Sequence, residues 1–294
     1  MGLFDRFRHR ATEETPTAPL MATLAPFTRL VIDGDVQVRL IESTENSISS
    51  DNSDTAALCR HDRDTLYIGD NEMFIITRTG NSMEAIGGGR IDTIMVDKGN
   101  SFIGDSNITA RLLAGSSNNR LREKSAQLRS CTIRVPQLPK VRLKSGSLHV
   151  QGFAGQTIDY CVAGSGSIRH DGADAATAKL EICSRGDMLL GWHRLEDRQL
   201  DAQIFGSGDI RIRGRAQSAD ISLTGSGSIH LGDCPVAEAR VSLLGSGNIR
   251  LDAADSVSGT LSGGQLALMR EPRERRLTVR ECSRVYVINR EDTA

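Results

Sequence analysis

The fold is decided by the stretch 220–231, which reads Asp220-Ile221-Ser222-Leu223-Thr224-Gly225-Ser226-Gly227-Ser228-Ile229-His230-Leu231. Apolar and polar residues alternate on both sides of Gly225-Ser226-Gly227, which is the period of a β-strand and not of a helix. The stretch therefore predicts two short strands joined by a bend at the two glycines. Such a unit cannot bury its apolar face alone, so its stability requires neighbouring copies.

The pentad that begins at Gly225 recurs through the second half of the chain. Its copies begin at residues 144, 164, 184, 206, 225, 245 and 262, and each has glycine in third place. A glycine in every copy indicates either a positive φ or a corner with no room for a Cβ atom. A period of about 20 residues is too short for a βαβ unit but suits one coil of a parallel β-helix, in which strands lie about 4.8 Å apart. We therefore predict an all-β solenoid whose inward Ile, Leu and Val residues stack into one core.

The rest of the chain extends this prediction towards the N-terminus. Fainter copies of the pentad begin at residues 87, 104 and 124, so we assign the parallel β-helix to residues 87–290. Alternation over 27–42 around Asp33-Gly34-Asp35 is typical of a hairpin. We predict that the N-terminal strands, within 27–86, cap the open end of the core, and that 1–26 is a disordered leader and linker.

The N-terminus lacks the features of a secretory signal or a membrane span. Residues 1–10 contain no apolar h-region, and no run of 18 apolar residues occurs in the chain. We therefore expect a cytoplasmic or peripherally membrane-associated protein. A short basic, amphipathic segment could rest on an anionic membrane. Its contact residues would be Leu3, Phe4, Phe7, Arg6 and Arg8. The alternative is that this segment is a disordered leader.

Composition argues against some classes of partner and cofactor. A net charge of −1 gives no general attraction to nucleic acid. The six cysteines form no CxxC pair and no ligand cluster along the sequence, so we predict a reduced protein with no metal site and no cofactor. Cys161 and Cys183 fall on neighbouring coils at outward positions, and a disulfide between them depends on their offset along the strands.

Stacking turns the outward positions of the pentads into ladders. The residue in fourth place and the residue two positions later both point away from the core. The first ladder is polar (Gln127, Ser147, Ser167, Asp187, Asp209, Ser228, Asn248 and Gln265), and the second is largely basic (Arg129, His149, Arg169, Leu189, Arg211, His230, Arg250 and Ala267). We predict that their charged members bind an anionic glycan, an envelope component or a membrane surface. These binding residues are Arg129, His149, Arg169, Asp187, Asp209, Arg211, His230 and Arg250.

Two other interpretations of this face stay open. In one, the face is merely solvated, and Asp187 and Asp209 pair with neighbouring arginines at about 0–1 kcal/mol for each pair. In the other, the same carboxylates, about 5 Å apart on adjacent coils, form the acid pair of a retaining glycosidase. Sugar clefts generally need aromatic platforms, and one Trp and three Tyr offer few, so we predict that the protein is not an enzyme. His170, at an inward position, is expected to be buried with a backbone hydrogen-bond partner.

Three features occur together in this chain. They are an entry strand pair over 27–40, a strand over 132–141 that ends in prolines, and the serial Gly-Ser-Gly strands. In this combination the chain resembles the head GIN domain of auto-transporter adhesins over 130–268 and 27–68, and residues 70–130 resemble an insertion. The resemblance implies a right-handed parallel β-helix, a role in adhesion and a place in the cell envelope.

The predicted function is a non-catalytic, adhesin-like binding module that presents the two ladders to a glycan or envelope component. A second hypothesis is a scaffold that self-assembles at the membrane, by architectural analogy with bactofilin-like proteins. Unpaired strand edges at the ends of the solenoid would favour it. A third hypothesis is a polysaccharide-cleaving enzyme that uses the carboxylate pair.

Overall fold

A computed structural model describes residues 20–50, 59–69, 75–79, 82–86, 129–173, 175, 177–192, 199–280 and 282–288. The regular secondary structure in this part of the chain is entirely β-strand. The strands are β1 (Leu20–Thr23), β2 (Arg29–Asp33), β3 (Val36–Glu42), β4 (Ser47–Ser50), β5 (Cys59–Asp62), β6 (Thr65–Gly69), β7 (Ile75–Thr79), β8 (Ser82–Ile86), β9 (Arg129–Val135), β10 (Lys140–Leu143), β11 (Ser147–Gln151), β12 (Ile158–Val162), β13 (Ser167–Ala173), β14 (Thr177–Ile182), β15 (Asp187–Trp192), β16 (Gln199–Gly206), β17 (Asp209–Arg213), β18 (Ala216–Gly225), β19 (Ser228–Gly245), β20 (Asn248–Ser262), β21 (Gln265–Leu268), β22 (Glu274–Val279) and β23 (Arg284–Val287).

Most strands stack in two parallel columns, which confirms the predicted β-solenoid. One column precedes the Gly-Ser-Gly corner of each coil and contains, in order, β6, β2, β10, β12, β14, β16, β18, β19, β20 and β22. The other follows the corner and contains β9, β3, β11, β13, β15, β17, β19, β20, β21 and β23. The long strands β19 and β20 contribute to both columns. We call the outer surfaces of these columns the pre-corner face and the post-corner face.

The inward residues of the post-corner strands form one continuous apolar column. Ile168 is the partner of Met188 across the ladder, Met188 of Ile210, and so on to Ile229 and Ile249. Each of these side chains is at most 1% exposed, and burial of each contributes about 1.5–3 kcal/mol. Equivalent pentad residues therefore lie directly above one another, as the repeat predicts.

Neither glycine of the corner 225–227 has room for a side chain. A Cβ atom at Gly227, in third place, would lie 2.3 Å from the carbonyl oxygen of Gly208, the equivalent residue one coil earlier. That oxygen accepts a hydrogen bond from Ser228 N–H at 3.1 Å, so moving it would disturb the backbone ladder. At this corner the first-place glycine has positive φ, 129° at Gly225, and a Cβ atom there would also lie 2.2 Å from the carbonyl oxygen of Gly206. Gly225 therefore permits both the turn and the close approach of the coils, and Gly227 permits the close approach.

The entry segment is a coil of the solenoid, so the hairpin predicted over 27–42 is wrong. β2 lies between β6 and β10, and β3 lies between β9 and β11, all in parallel. The bend at Asp33 and Gly34 takes the place of a Gly-Ser-Gly corner. Gly34 N–H donates to Ser145 Oγ at 2.6 Å, and Lys144 Nζ donates to Asp33 Oδ2 at 2.8 Å. Alternation predicts the two strands, but their ladder partners on this side, such as Lys140 for Arg29 and Ser147 for Gln37, lie more than a hundred residues later in the chain.

Antiparallel strands flank the N-terminal end of the stack. β4 pairs with β9, β1 pairs with β4, and β5 pairs with β6. β7 and β8 form a separate antiparallel pair. Residues 20–23 are strand β1, so this part of the predicted linker 1–26 is wrong. The fainter pentad copies at 87, 104 and 124 lie outside the described residues, and the proposed domain boundaries stay predictions.

Candidate functional site

The post-corner face carries a column of mostly basic side chains. Parallel pairing places each outward residue beside its equivalent in the next coil, about 4.8 Å away. From the N-terminal end, this column contains Thr132, Arg39, His149, Arg169, Leu189, Arg211, His230, Arg250, Ala267 and Tyr286. We use the name basic column for six of these residues, namely Arg39, His149, Arg169, Arg211, His230 and Arg250.

The N-terminal end of this column differs from the prediction. Arg129 is the ladder partner of Val36, whereas Thr132 is the partner of Arg39. Arg129 therefore lies outside the basic column, and its predicted place beside His149 is wrong. Arg39, which the repeat pattern missed, holds that place. The reason is that the entry coil lies between β9 and β11, so counting pentads along the chain passes over it. The alternation within β3 could have indicated this, because it puts Arg39 at an outward position.

The N-terminal half of the basic column borders a groove of about 490 Å³, lined by Arg39, His149 and Arg169 together with polar side chains. Asp171 accepts a hydrogen bond from Arg169 Nε at 2.8 Å, and its Oδ2 lies 2.9 Å from His149 Nε2. The hydrogen bond from Arg169 is the main cause of a lowered pKa at Asp171. Asp171 thus neutralises part of the positive charge in the N-terminal half of the basic column. Arg39 has no carboxylate partner among the described residues.

The C-terminal half of the basic column has a weaker counter-charge, Asp209, which tends to raise the pKa of His230. Arg211, His230 and Arg250 lie on successive strands, and none of them forms an ion pair with a carboxylate in the described part of the chain. Burial lowers the pKa of His230, and the positive charges of Arg211 and Arg250 lower it further. The lowered pKa keeps the His230 ring mostly neutral near pH 7, so Arg211 and Arg250 are the charged groups of this half.

Asp187 and Asp209 are ladder partners in the neighbouring polar column, as predicted. The ion pairs expected from them are wrong in detail. Arg169 pairs with Asp171 instead of Asp187, and Arg211 has no carboxylate partner within the described ranges. Neither aspartate lines the groove on this face. The glycosidase hypothesis therefore gains no support from the surroundings of the two carboxylates.

On the pre-corner face, basic and acidic residues are mixed. One outward column there contains Thr65, Arg29, Lys140, Asp159, Lys179, Asp201, Asp220, Arg240, Ser258 and Arg276. Lys140 Nζ lies 3.2 Å from a carboxylate oxygen of Asp159, and Arg240 Nη1 lies 3.7 Å from one of Asp220. This face therefore neutralises much of its own charge.

His170 is buried with a backbone partner, as predicted. Its Nε2 lies 3.0 Å from the carbonyl oxygen of Gly152, and its Nδ1 lies 2.8 Å from the hydroxyl of Tyr160. Burial lowers the pKa of His170. The neutral ring therefore donates from Nε2 and accepts the Tyr160 proton at Nδ1. This pair belongs to the core and offers no group to either face.

Three potential metal ligands converge on the pre-corner face, which their spacing in the sequence does not reveal. Cys161 and Glu181 are ladder partners on β12 and β14, and Cys183 lies two residues beyond Glu181. Their ligand atoms all lie within 4.8 Å of one another, and Cys183 Sγ donates to Glu181 Oε1 at 3.2 Å. Burial is the main cause of raised pKa values at both thiols, and the pKa of Cys183 reaches about 12. Both cysteines are free. We call these three residues the thiol cluster.

The serial corners and the entry coil together define a known family. The sequence matches the family model "Putative auto-transporter adhesin, head GIN domain" over residues 26–266. The chain belongs to this family. Its membership confirms the resemblance that the entry strands and the Gly-Ser-Gly corners indicated. No curated protein matches the GIN-domain sequence.

Solved structures share the fold of this GIN domain. A "putative adhesin" from Bacteroides fragilis has a TM-score of 0.53 and 15% identity, and the match covers 93% of this chain and 99% of the other. A "putative adhesin" from Parabacteroides distasonis has a TM-score of 0.55 and 14% identity, covering 91% and 96%. A "putative lipid binding protein" from the same organism has a TM-score of 0.57 and 12% identity, also covering 91% and 96%. At these identities the likeness is one of fold alone.

Two predicted features of the GIN domain receive no support. The membrane-contact residues Leu3, Phe4, Phe7, Arg6 and Arg8 lie outside the described residues. The described part of the chain contains no helix that is long and apolar enough to cross a membrane. At the C-terminal end, the edge strand β22 exposes Glu274, Arg275 and Arg276. Charges on an edge strand oppose pairing with another chain, so the scaffold hypothesis is not favoured.

Proposed function

We propose that this GIN domain is a non-catalytic binding module of the cell envelope, and that its basic column holds the anionic groups of an envelope glycan or lipid. The observation that carries the proposal is the run Arg211, His230 and Arg250. These residues lie side by side on successive strands, and no carboxylate pairs with them among the described residues. They form a line of donors about 4.8 Å apart, which suits a ligand with repeated phosphate or carboxylate groups.

The electrostatics of the column support an anionic ligand. Arg211 and Arg250 lie on either side of His230 and both lower its pKa, and a bound anion would offset their positive charge. The neighbouring polar column contributes Ser228 and Asn248 beside the cations, and their side chains can donate hydrogen bonds to the same ligand. The family name and the names of the similar structures, adhesin and lipid-binding protein, agree with a surface that binds an envelope component.

The test compares two double variants with equal loss of charge. The first is Arg211→Gln with Arg250→Gln, on the post-corner face. The matched control is Lys179→Gln with Arg240→Gln, on the pre-corner face. Binding is measured to an immobilised acidic polysaccharide, to vesicles with phosphatidylglycerol and to vesicles of phosphatidylcholine only. We expect the first variant to lose about 30-fold in affinity for whichever anionic probe the unmodified protein binds, since each basic residue near an anionic surface contributes about 1 kcal/mol.

The control variant should bind like the unmodified protein within about twofold, and added salt should weaken binding by screening it. The polysaccharide and vesicle arms distinguish a glycan from a lipid head group. Equal losses in both variants would mean that net charge, and not the basic column, governs binding. Absence of binding to every anionic probe would overturn the proposal.

A further inference from the structure

We propose that the thiol cluster binds a divalent metal ion of the zinc type, with Cys161, Glu181 and Cys183 as three ligands and water as the fourth. This site lies on the pre-corner face and is independent of the basic column. Two thiolates and one carboxylate are ligands that Zn²⁺ accepts in tetrahedral geometry. Cys183 is exposed, so the fourth position faces solvent and water can occupy it.

The separations between the ligand atoms suit such an ion. Zn²⁺ binds cysteine sulfur at about 2.3 Å and carboxylate oxygen at about 2.0–2.2 Å, so tetrahedral angles require a sulfur–sulfur separation of about 3.8 Å and a sulfur–oxygen separation of about 3.6 Å. The three ligand atoms lie within 4.8 Å of one another, with 3.2 Å between Cys183 Sγ and Glu181 Oε1. Side-chain rotations alone can bring them to these values. On binding, the two thiol protons leave to solvent and two sulfur–metal bonds form.

The backbone favours a metal ion over a disulfide at this position. Cys161 is the ladder partner of Glu181, and Cys183 lies two residues further along β14's direction. Neighbouring strands about 4.8 Å apart and a rise of about 3.3 Å per residue place the two cysteine Cα atoms about 8 Å apart. A disulfide requires Cα atoms within about 7 Å. A bridging ion spans the longer distance, so the same offset that disfavours the covalent bond accommodates the metal.

The surroundings hold the ligands in place and offset their charge. Cys183 N–H donates to the carbonyl oxygen of Val162 at 2.8 Å, which fixes the second cysteine against the neighbouring coil. Arg142 is the ladder partner of Cys161 on the side away from Glu181. Two thiolates and a carboxylate around a dication leave one net negative charge, and the guanidinium of Arg142 lies nearby to balance it.

The experiment uses the untagged full chain and Co²⁺ as a spectroscopic substitute for Zn²⁺. We expect one Co²⁺ per chain with a thiolate-to-metal charge-transfer band, which Zn²⁺ then displaces. Cys161→Ser and Cys183→Ser should each abolish the band, and Glu181→Gln should weaken binding while leaving the band. Cys282→Ser, which removes another exposed thiol, is the matched control and should leave both unchanged. Thermal unfolding of each variant without metal checks that it folds.

A second measurement keeps the inference testable if a serine variant fails to fold. Alkylation of the unmodified protein is followed site by site by mass spectrometry, with and without Zn²⁺. Zn²⁺ should slow alkylation of Cys161 and Cys183 at least about tenfold, since the bound thiolate is no longer free to react, and should leave Cys282 unaffected. A charge-transfer band that survives loss of Cys161 or Cys183, or alkylation rates that Zn²⁺ does not change, would overturn the inference.

Discussion

The two outer faces of the solenoid come from the same coils but arrange their charges in different ways. On the pre-corner face, Lys140 contacts Asp159 and Arg240 contacts Asp220, so basic and acidic residues neutralise one another across the ladder. On the post-corner face, Arg211 stacks on a histidine and then on Arg250, without a carboxylate partner in the part of the chain that the structure describes. Opposite charges across a ladder contribute to stability. The pre-corner face therefore pairs part of its own charge, whereas Arg211 and Arg250 form no ion pair among the described residues.

The first prediction concerns the Gly-Ser-Gly corner, because its close packing keeps equivalent residues of successive coils aligned on both faces. Gly227→Ala would place a Cβ atom 2.3 Å from the carbonyl oxygen of Gly208, and we expect a loss of about 3 kcal/mol in the free energy of unfolding. The measurement is urea denaturation followed by circular dichroism. Gly191→Ala, on an outward strand position where a Cβ atom meets nothing within 4 Å, is the control and should change little. Equal effects at the two sites would contradict the role of close packing at the corner.

The second prediction interrupts the basic column with a negative charge. Leu189 lies between Arg169 and Arg211 in the ladder. Leu189→Glu should weaken binding to the anionic probe about fivefold, the effect of about 1 kcal/mol for one charge near the ligand. Ser242→Glu places the same charge on the pre-corner face and should have little effect. Similar losses in both variants would remove the distinction between the faces.

The third prediction concerns the free energy of unfolding. Removing one charge should lower it on the pre-corner face but not on the post-corner face. Asp220→Asn leaves Arg240 without its partner and should cost up to about 1 kcal/mol, as exposed pairs do. At a pH below the folded pKa of His230, where the ring is charged, Arg250→Gln removes a like charge from beside it and should leave stability unchanged or raise it by a few tenths of a kcal/mol. Chemical denaturation at low and high salt measures both, and the difference should shrink as salt screens the charges. A loss of stability in both variants would contradict repulsion between Arg250 and charged His230 on the post-corner face.

The smallest expected effect is on the titration of His230. Burial and the charges of Arg211 and Arg250 lower its pKa in the folded protein. Arg250→Gln should therefore move that pKa upward, and added salt should do the same, which NMR titration of the imidazole resonances can follow. Because the folded pKa is lowered, the contribution of His230 to stability is complete above its unfolded pKa of about 6.5 and declines as the pH falls towards the folded value. No upward movement in the variant would show that Arg250 does not lower the pKa of His230.

The repeat predicts the C-terminal coils well because each of them stacks on the copy just before it in the chain. The columns through Ile168, Ile210 and Ile249, and the partners Asp187 and Asp209, follow from period and parity alone. The same counting fails where chain order and stacking order differ. Arg39 was therefore missed as a member of the basic column, since its neighbour His149 lies in a coil that is distant in sequence.

The thiol cluster was missed for a related reason. Cys161 and Cys183 stand more than a full coil apart, and the third ligand, Glu181, is recognised only once the ladder between β12 and β14 is known. The partners of surface arginines are equally hidden, because a pair such as Arg169 and Asp171 depends on rotamers and not on the repeat. Patterns in the sequence therefore predict the backbone columns, whereas the contacts between side chains require the structure.

The position of the entry coil also bears on how the molecule assembles. Its strands lie between β6 and β10 on one side of the corner and between β9 and β11 on the other. The entry coil therefore gains its second neighbour only after the chain has been synthesised as far as β11, and closing so long a loop is slow. Each coil from β12 onward pairs with the coil that precedes it in the chain, so these coils can form one after another. We therefore expect the coils from β12 onward to form before the entry coil is enclosed on both sides.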